Sequence, residues 1–326
     1  MNKRKISLII ALGIAVIFGG YLLIATKKSQ PPLSRPLIEK IDPVVTVDWL
    51  SANLDAPNLR LIFVGSGKDK IEVYDQGHIK NSIYLDSDPW YQDKTKTGGA
   101  AGIVSSKEKF EKIMGEHGVS NNDAVVLYGI SSAAYIGRAL WTFKYHGHDN
   151  VAYLNGGITE WVKKYGKESL VKEVPEIIPA SYKAILQEDL RITADELYEN
   201  LDNPDVIIID ARTSEEYSGQ KIAEKVSRGG HIPGAVNIEW YKATINPDSE
   251  TLRSKEELAL IYKDIPKDKK IVVYCQTGTR SSNNFFILKY MLEYPNVRNY
   301  DGSWDEWSNL KNPEGAFKYP IEIETE

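Results

Sequence analysis

The only cysteine in this 326-residue chain is Cys275. It follows an apolar run, Ile271-Val272-Val273-Tyr274, and precedes Gln276-Thr277-Gly278-Thr279-Arg280-Ser281-Ser282. The run reads as a buried strand and the stretch from about Asn283 to Leu292 as a helix, which puts the thiol on a tight strand-to-helix loop. Three features there favour an anionic sulfur. Loop amides and the helix start present positive partial charge. Gly278 lets the backbone curl round an anion. Arg280 adds a permanent cation five positions from the sulfur. The thiolate is the nucleophilic form of cysteine, so the expected chemistry is nucleophilic, with Gln276 to Arg280 as its anion-holding loop. A free cysteine is more often an inert core residue. Its place at a strand's C-terminal end, followed by Gly and Arg, argues for the reactive reading.

The elements that must position this loop occur twice. Val45-Thr46-Val47-Asp48-Trp49-Leu50 resembles Ile192-Thr193-Ala194-Asp195-Glu196-Leu197. Leu61–Val64 resembles Ile207–Asp210, and Gly77-His78-Ile79 resembles Gly230-His231-Ile232. Val125–Tyr128 resembles Ile271–Tyr274, and Asn155-Gly156-Gly157 with Trp161 resembles Asp301-Gly302-Ser303 with Trp307. The spacings stay between about 146 and 153 positions, which marks two copies of one domain. The expected domains are 43–175 and 176–326. Val206–Ile209 and Ile271–Tyr274 are continuously apolar, as parallel strands buried on both faces are. Ser105-x-x-Glu108, Thr193-x-x-Glu196 and Ser254-x-x-Glu257 read as helix-capping boxes. The alternation implies an α/β fold of two doubly wound domains, each a parallel sheet flanked by helices, with ligands at the C-terminal strand ends.

Composition narrows the class. With 42% hydrophobic and 26% charged residues and a net charge of −5, the body is globular and carries no basic footprint for nucleic acid. One cysteine excludes an intrachain disulfide framework and a cysteine-rich zinc site. Residues 1–28 stand apart. Met1-Asn2-Lys3-Arg4-Lys5 is basic, Ile6 to Ala25 carries no charge, and Lys27-Lys28 closes the run. A helix of that length spans roughly 30 Å, the thickness of a bilayer's hydrocarbon core. The expectation is a membrane-spanning signal-anchor, with a cleaved signal as the alternative. Residues 29–42, with Pro31, Pro32 and Pro36, then form a linker, and the body lies outside the cytoplasm.

The chain resembles the tandem-domain rhodaneses, the thiosulfate and 3-mercaptopyruvate sulfurtransferases. The residues that carry the likeness are Cys275 to Ser281, Asp210-Ala211-Arg212 with Glu216-Tyr217, Gly230-His231-Ile232-Pro233-Gly234-Ala235, and Asp301-Gly302-Ser303 with Trp307. The likeness covers roughly 43–326. It implies a sulfurtransferase without cofactor or metal. Cys275 takes a sulfane sulfur from a small donor such as thiosulfate, becomes a persulfide, and passes the outer sulfur to a thiol or cyanide-like acceptor. It also implies that the first copy is inactive and forms one wall of the cleft, because the position matching Cys275 is Gly129. Two departures bear on the donor. Thiosulfate-type loops often carry basic residues where this chain has Gln276 and Thr277. Mercaptopyruvate-type loops read Cys-Gly-Ser-Gly-Val-Thr, whereas this loop has Gln276 and ends in Arg280.

Alternatives remain at this stage. A carrier or redox-responsive binding module, or a 3-mercaptopyruvate enzyme, would use the same loop. Phosphatases and arsenate reductases place five residues between Cys and Arg, and here there are four. His146-Gly147-His148 is read as a helix end and not as a metal site. His78 and His231 recur in both copies, so they read as structural. Arg212 and Arg228 each stand where they could bind an anionic donor or serve as salt-bridge arginines.

Overall fold

The computed structural model describes residues 35–65, 68–86, 100–130 and 133–324. In the first copy the strands are β1 (Val44–Val45), β2 (Leu59–Gly65), β3 (His78–Ile79), β4 (Ser82–Asp86), β5 (Ala124–Tyr128), β6 (Val151–Leu154) and β7 (Leu170–Val171). Five of them form a parallel sheet in the order β1-β6-β5-β2-β4, and β3 pairs with β7 antiparallel. The second copy has β8 (Val206–Asp210), β9 (Val236–Asn237), β10 (Lys270–Tyr274) and β11 (Val297–Asn299), parallel in the order β11-β10-β8-β9. The duplication extends to single bridges. The parallel pair Val44–Tyr153 returns as Arg191–Asn299, and the antiparallel pair His78–Val171 returns as His231–Glu322.

Alternation along the strands explains their uninterrupted apolar sequences. On β2 and β5, Leu61, Phe63, Val126 and Tyr128 face one core, while Ile62, Val64, Val125 and Leu127 face another. On β10, Val272 and Tyr274 face the second copy's own core, while Ile271 and Val273 join the core that the first copy's Ile62 and Val125 also line. Both faces of each sheet are therefore dry. The shared core is built around two equivalent helices, Ala133–Tyr145 and Thr279–Phe286, which pack against each other. Gly137 permits their contact, because a Cβ there would lie 2.9 Å from Asn283 Cα. Phe285 and Phe286, both fully buried in this core, each contribute about 2–3 kcal/mol by leaving water. The two copies therefore form one compact body with a continuous apolar centre.

Several expectations are corrected. The helix start near Ser105 is capped by Ser106, whose hydroxyl accepts the Lys109 N–H. Ser254 and Glu257 do form a full capping box, and Thr193 caps its helix by accepting the Glu196 N–H. Residues 35–42 are not a free linker. The backbone N–H groups of Ile38 and Ile41 donate to Asn58 and Asn150, and Ile41 is buried. The expected anchor, residues 1–28, lies outside the described residues. Among the described residues no helix is long and apolar enough to cross a membrane.

The histidines are tied to backbone. His78 and His231 each stack on a tyrosine, Tyr74 and Tyr217, at 3.8 Å, and each places Nδ1 2.9 Å from that tyrosine's carbonyl. His146 lies between the carbonyls of Thr142 and Ser105, and His148 meets the Asp123 carbonyl. Burial lowers the pKa of both His146 and His148 to about 4. Between that value and the ordinary 6.5 the unfolded chain binds more protons than the folded one, so stability falls as pH drops through this window. From neutral to about pH 5 the loss is roughly 2 kcal/mol for each histidine. Urea melts at the two pH values check this. H148Q, which keeps a donor for the Asp123 carbonyl, is expected to reduce the pH dependence. An unchanged slope would remove His148 from the account.

Candidate active site

Cys275 follows the last residue of β10 directly and is fully buried. Its backbone is fixed from the far side by the segment after β11. The Cys275 N–H donates to Ser303 Oγ at 3.1 Å, and that hydroxyl donates to the Tyr300 carbonyl at 2.7 Å. The carbonyls of Cys275 and Gln276 accept the N–H groups of Trp304 and Asp305, each at 3.0 Å. Behind the loop, Tyr274 donates its hydroxyl to Asp210 at 2.6 Å and accepts the Ile232 N–H at 3.1 Å.

Gly278 takes a φ of +74°, and the helix begins at once, at Thr279. The expected start near Asn283 was therefore four residues late. The left-handed glycine turns the chain sharply enough for Thr279 and Arg280 to be the helix's first two residues. Arg280 thus belongs to the helix, and the loop proper is Cys275 to Gly278. The amides of Gln276, Thr277 and Gly278 donate to no acceptor among the described residues. They sit beside the helix N-terminus, an arrangement suited to holding an anion. Gln276 Oε1 is buried and meets no donor among the described residues.

The first copy supplies the opposing wall. A Cβ on Gly102 would lie 2.1 Å from the Thr277 carbonyl oxygen and 2.3 Å from that of Asp301. The neighbouring amides are also bound: Ala101 N–H donates to Asp305 and Val104 N–H to Asp301, both at 2.8 Å. Arg138, fully buried, donates from Nη2 to the Gly102 carbonyl at 2.7 Å, and its Nη1 would be 2.7 Å from a Cβ on Gly278. Neither Gly102 nor Arg138 was identified from the sequence as part of the site.

The other expected site residues divide. Arg280 is brought to the loop, but its two terminal nitrogens bind Glu216, at 2.7 and 2.9 Å. Glu216 is held in turn by a capping box with Thr213. Burial pushes the Glu216 pKa up, yet the hydrogen bonds and charge of Arg280 outweigh it and bring the carboxyl down to about 2. Arg280 also interacts electrostatically with Cys275. Arg212 and Arg228 spend their guanidinium groups on partners within the second copy. Arg212 is buried, binds Asp210 at 2.6 Å and the Gly230 carbonyl at 2.7 Å, and stacks on Trp304. Arg228 donates to the carbonyls of Trp307, Ser308 and Tyr319. Of the two roles open to each, these contacts are those of a cation that fixes the fold.

Comparison with known proteins bears on the chain as a whole. The model of the rhodanese-like domain matches residues 46–164 and again 193–310. The sulfur carrier protein TtuD of Thermus thermophilus is 39% identical over 279 residues, covering 82% of this chain and 94% of that protein. The thiosulfate sulfurtransferase of Corynebacterium glutamicum is 36% identical over 276 residues, covering 82% and 88% respectively. Among solved structures, SseA of Escherichia coli, described as a 3-mercaptopyruvate sulfotransferase, superposes with a TM-score of 0.70 at 23% identity. That match covers 81% of this chain and 99% of SseA, and at such identity it speaks for the fold alone.

Ser303 invites a test. Its φ is +54°, a region costly for a residue with a side chain, and the equivalent Gly157 of the first copy has a φ of +52°. The serine keeps a glycine's conformation while its hydroxyl accepts the Cys275 N–H. S303G is expected to relieve about 1 kcal/mol of backbone strain and fold at least as stably as S303A. Both variants should slow sulfur transfer about tenfold, since both lose the hydrogen bond. Full activity in S303G would show that the hydroxyl positions nothing.

Proposed function

The chain belongs to the rhodanese-like family, and from that premise we propose that it moves a sulfane sulfur from thiosulfate or a similar donor to a thiophilic acceptor through a persulfide on Cys275. The observation that carries the proposal is the lone cysteine at a parallel strand's end, beneath unsatisfied loop amides at a helix N-terminus. The Cys275 thiolate attacks the outer sulfur of the donor. The donor's S–S bond breaks, and sulfite leaves with the electron pair when thiosulfate is the donor. The resulting persulfide anion lies where the amides of Gln276 to Gly278 can stabilise it, as an oxyanion hole does for oxygen. An acceptor then attacks the outer sulfur and returns the electron pair to Cys275. Because Cys275 is fully buried, a donor reaches it only when a covering group moves.

On this reading 176–326 is the catalytic copy and 43–175 its non-catalytic partner, which carries Gly129 where the other has Cys275. The basic residues 3–5 and the uncharged run from Ile6 to Ala25 support a membrane tether with the body outside the cytoplasm. A second reading, a carrier that discharges only to a partner, is favoured by the burial of Cys275 and by the likeness to TtuD. The 3-mercaptopyruvate reading has less support, since Gln276 and Arg280 depart from that loop pattern.

Mass spectrometry after thiosulfate treatment should find one added sulfur atom on Cys275, lost again on addition of cyanide as thiocyanate appears. C275S should lower turnover by about a thousandfold or more while keeping its fold. A persulfide that small acceptors cannot discharge would favour the carrier. Turnover retained in C275S would overturn the proposal.

A further inference from the structure

The loop arginine is engaged before any donor arrives. Both terminal nitrogens of Arg280 face the Glu216 carboxylate, and Glu216 is buried and anchored by Thr213. A bidentate pair of this kind is geometrically specific and leaves Arg280 little freedom to turn its fork elsewhere. The cation's counter-charge is thus built in beside the loop, while the buried Arg138 lies against Gly278 on the loop's other side.

The duplication shows which interactions are kept for the fold alone. The first copy retains the histidine–tyrosine stack, as His78 on Tyr74. It retains the tyrosine hydroxyl that receives a backbone amide, as Tyr128 with Ile79 and Tyr274 with Ile232. It also retains the buried tryptophan, as Trp161 and Trp307. It does not retain the ion pair. Counting from Gly129 opposite Cys275, Ala134 stands opposite Arg280. Counting from Tyr74 opposite Tyr217, Val73 stands opposite Glu216. Both members of the pair occur only in the copy that has the nucleophile. The first copy folds without them, and in the second copy the pair stands at the helix start that follows the Cys275 loop.

Resting on the sulfur-transfer reading above, we propose that Glu216 is a specificity-determining residue that sets the donor's charge. It offsets Arg280 and repels surplus negative charge, so the site favours singly charged sulfane donors, such as organic thiosulfonates and persulfides, over the thiosulfate dianion. Thiosulfate remains a substrate but is handicapped by its second charge.

The test compares two donors of the same chemistry and different charge. Thiosulfate carries two negative charges and releases sulfite. Methanethiosulfonate carries one and releases methanesulfinate. In each case the Cys275 thiolate forms a bond to the outer sulfur and the sulfonyl group leaves with the electron pair. An electrostatic effect scales with donor charge, so a gain for the monoanion is squared for the dianion. E216Q is expected to raise kcat/KM about threefold for methanethiosulfonate and about tenfold for thiosulfate. E216D keeps the charge and should keep the wild-type ratio between donors. If E216Q does not fold by circular dichroism, R280Q gives the same information. It leaves Glu216 uncompensated and should move the ratio further against thiosulfate. Equal losses for both donors in E216Q, or a ratio unmoved in E216Q or R280Q, would overturn the proposal and leave the pair a structural clamp. Failure of the wild-type protein to form a persulfide with either donor would instead strike the sulfur-transfer reading itself.

Discussion

The close approach of two backbones, at Gly102 and Thr277, is the contact on which the site depends. Only a residue without a Cβ fits there, because the added atom would sit 2.1 Å from one carbonyl oxygen and 2.3 Å from another. Those carbonyls belong to Thr277, in the loop that carries Cys275, and to Asp301, two residues before the serine that fixes the Cys275 amide. One glycine of the first copy therefore touches both segments that shape the anion pocket. Arg138 holds that glycine by its carbonyl and lies against Gly278. The copy without a nucleophile is thus half of the machinery. Its backbone sets the distance between the two loops, and the shared core beneath them keeps it from changing.

Duplication followed by divergence separates fold from chemistry within one chain. Interactions common to both copies include the parallel sheet, the histidine–tyrosine stacks and the buried tryptophans. None of these needs a reactive thiol, and all survive in the copy where Gly129 replaces it. Differences concentrate at the strand ends, where parallel α/β sheets place their ligands. Cysteine replaces glycine, serine replaces glycine at a left-handed position, and a carboxylate–guanidinium pair replaces Val73 and Ala134. At Ser303 the second copy tolerates backbone strain that the first avoids, as functional sites do when the surrounding structure holds a residue in place.

Much of this was legible in the sequence. The apolar runs gave the strands, the repeat gave two copies, and the single cysteine was placed at a strand's end, because each rests on periodicity or position along the chain. The helix after Cys275 was placed four residues late, since Thr279, Arg280 and two serines resemble a loop until Gly278 is known to take a left-handed turn. Arg212 and Arg228 were open between two roles because a basic residue near a strand end looks the same whether or not it has partners. Only the fold shows Asp210 and four backbone carbonyls waiting for them. Gly102 and Arg138 carried no local signal at all. Their importance arises from contacts about 140 to 200 positions away in sequence, between copies that pattern reading treats separately.

The Glu216–Arg280 pair shows why a cation near a reactive thiol is not by itself a donor site. A free guanidinium beside the loop would attract any anion, including the sulfite that must leave after the first step. Binding the leaving group as firmly as the donor gives no advantage, because only interactions stronger in the transition state speed the reaction. With its fork held by a carboxylate, Arg280 still lends positive potential to Cys275 but does not offer an ion pair to every anion. The loop amides are left to hold the one atom whose charge changes during the cycle, the sulfur. They are fixed dipoles that need no rearrangement when that charge develops. Beside those amides stands a cation whose charge Glu216 already offsets.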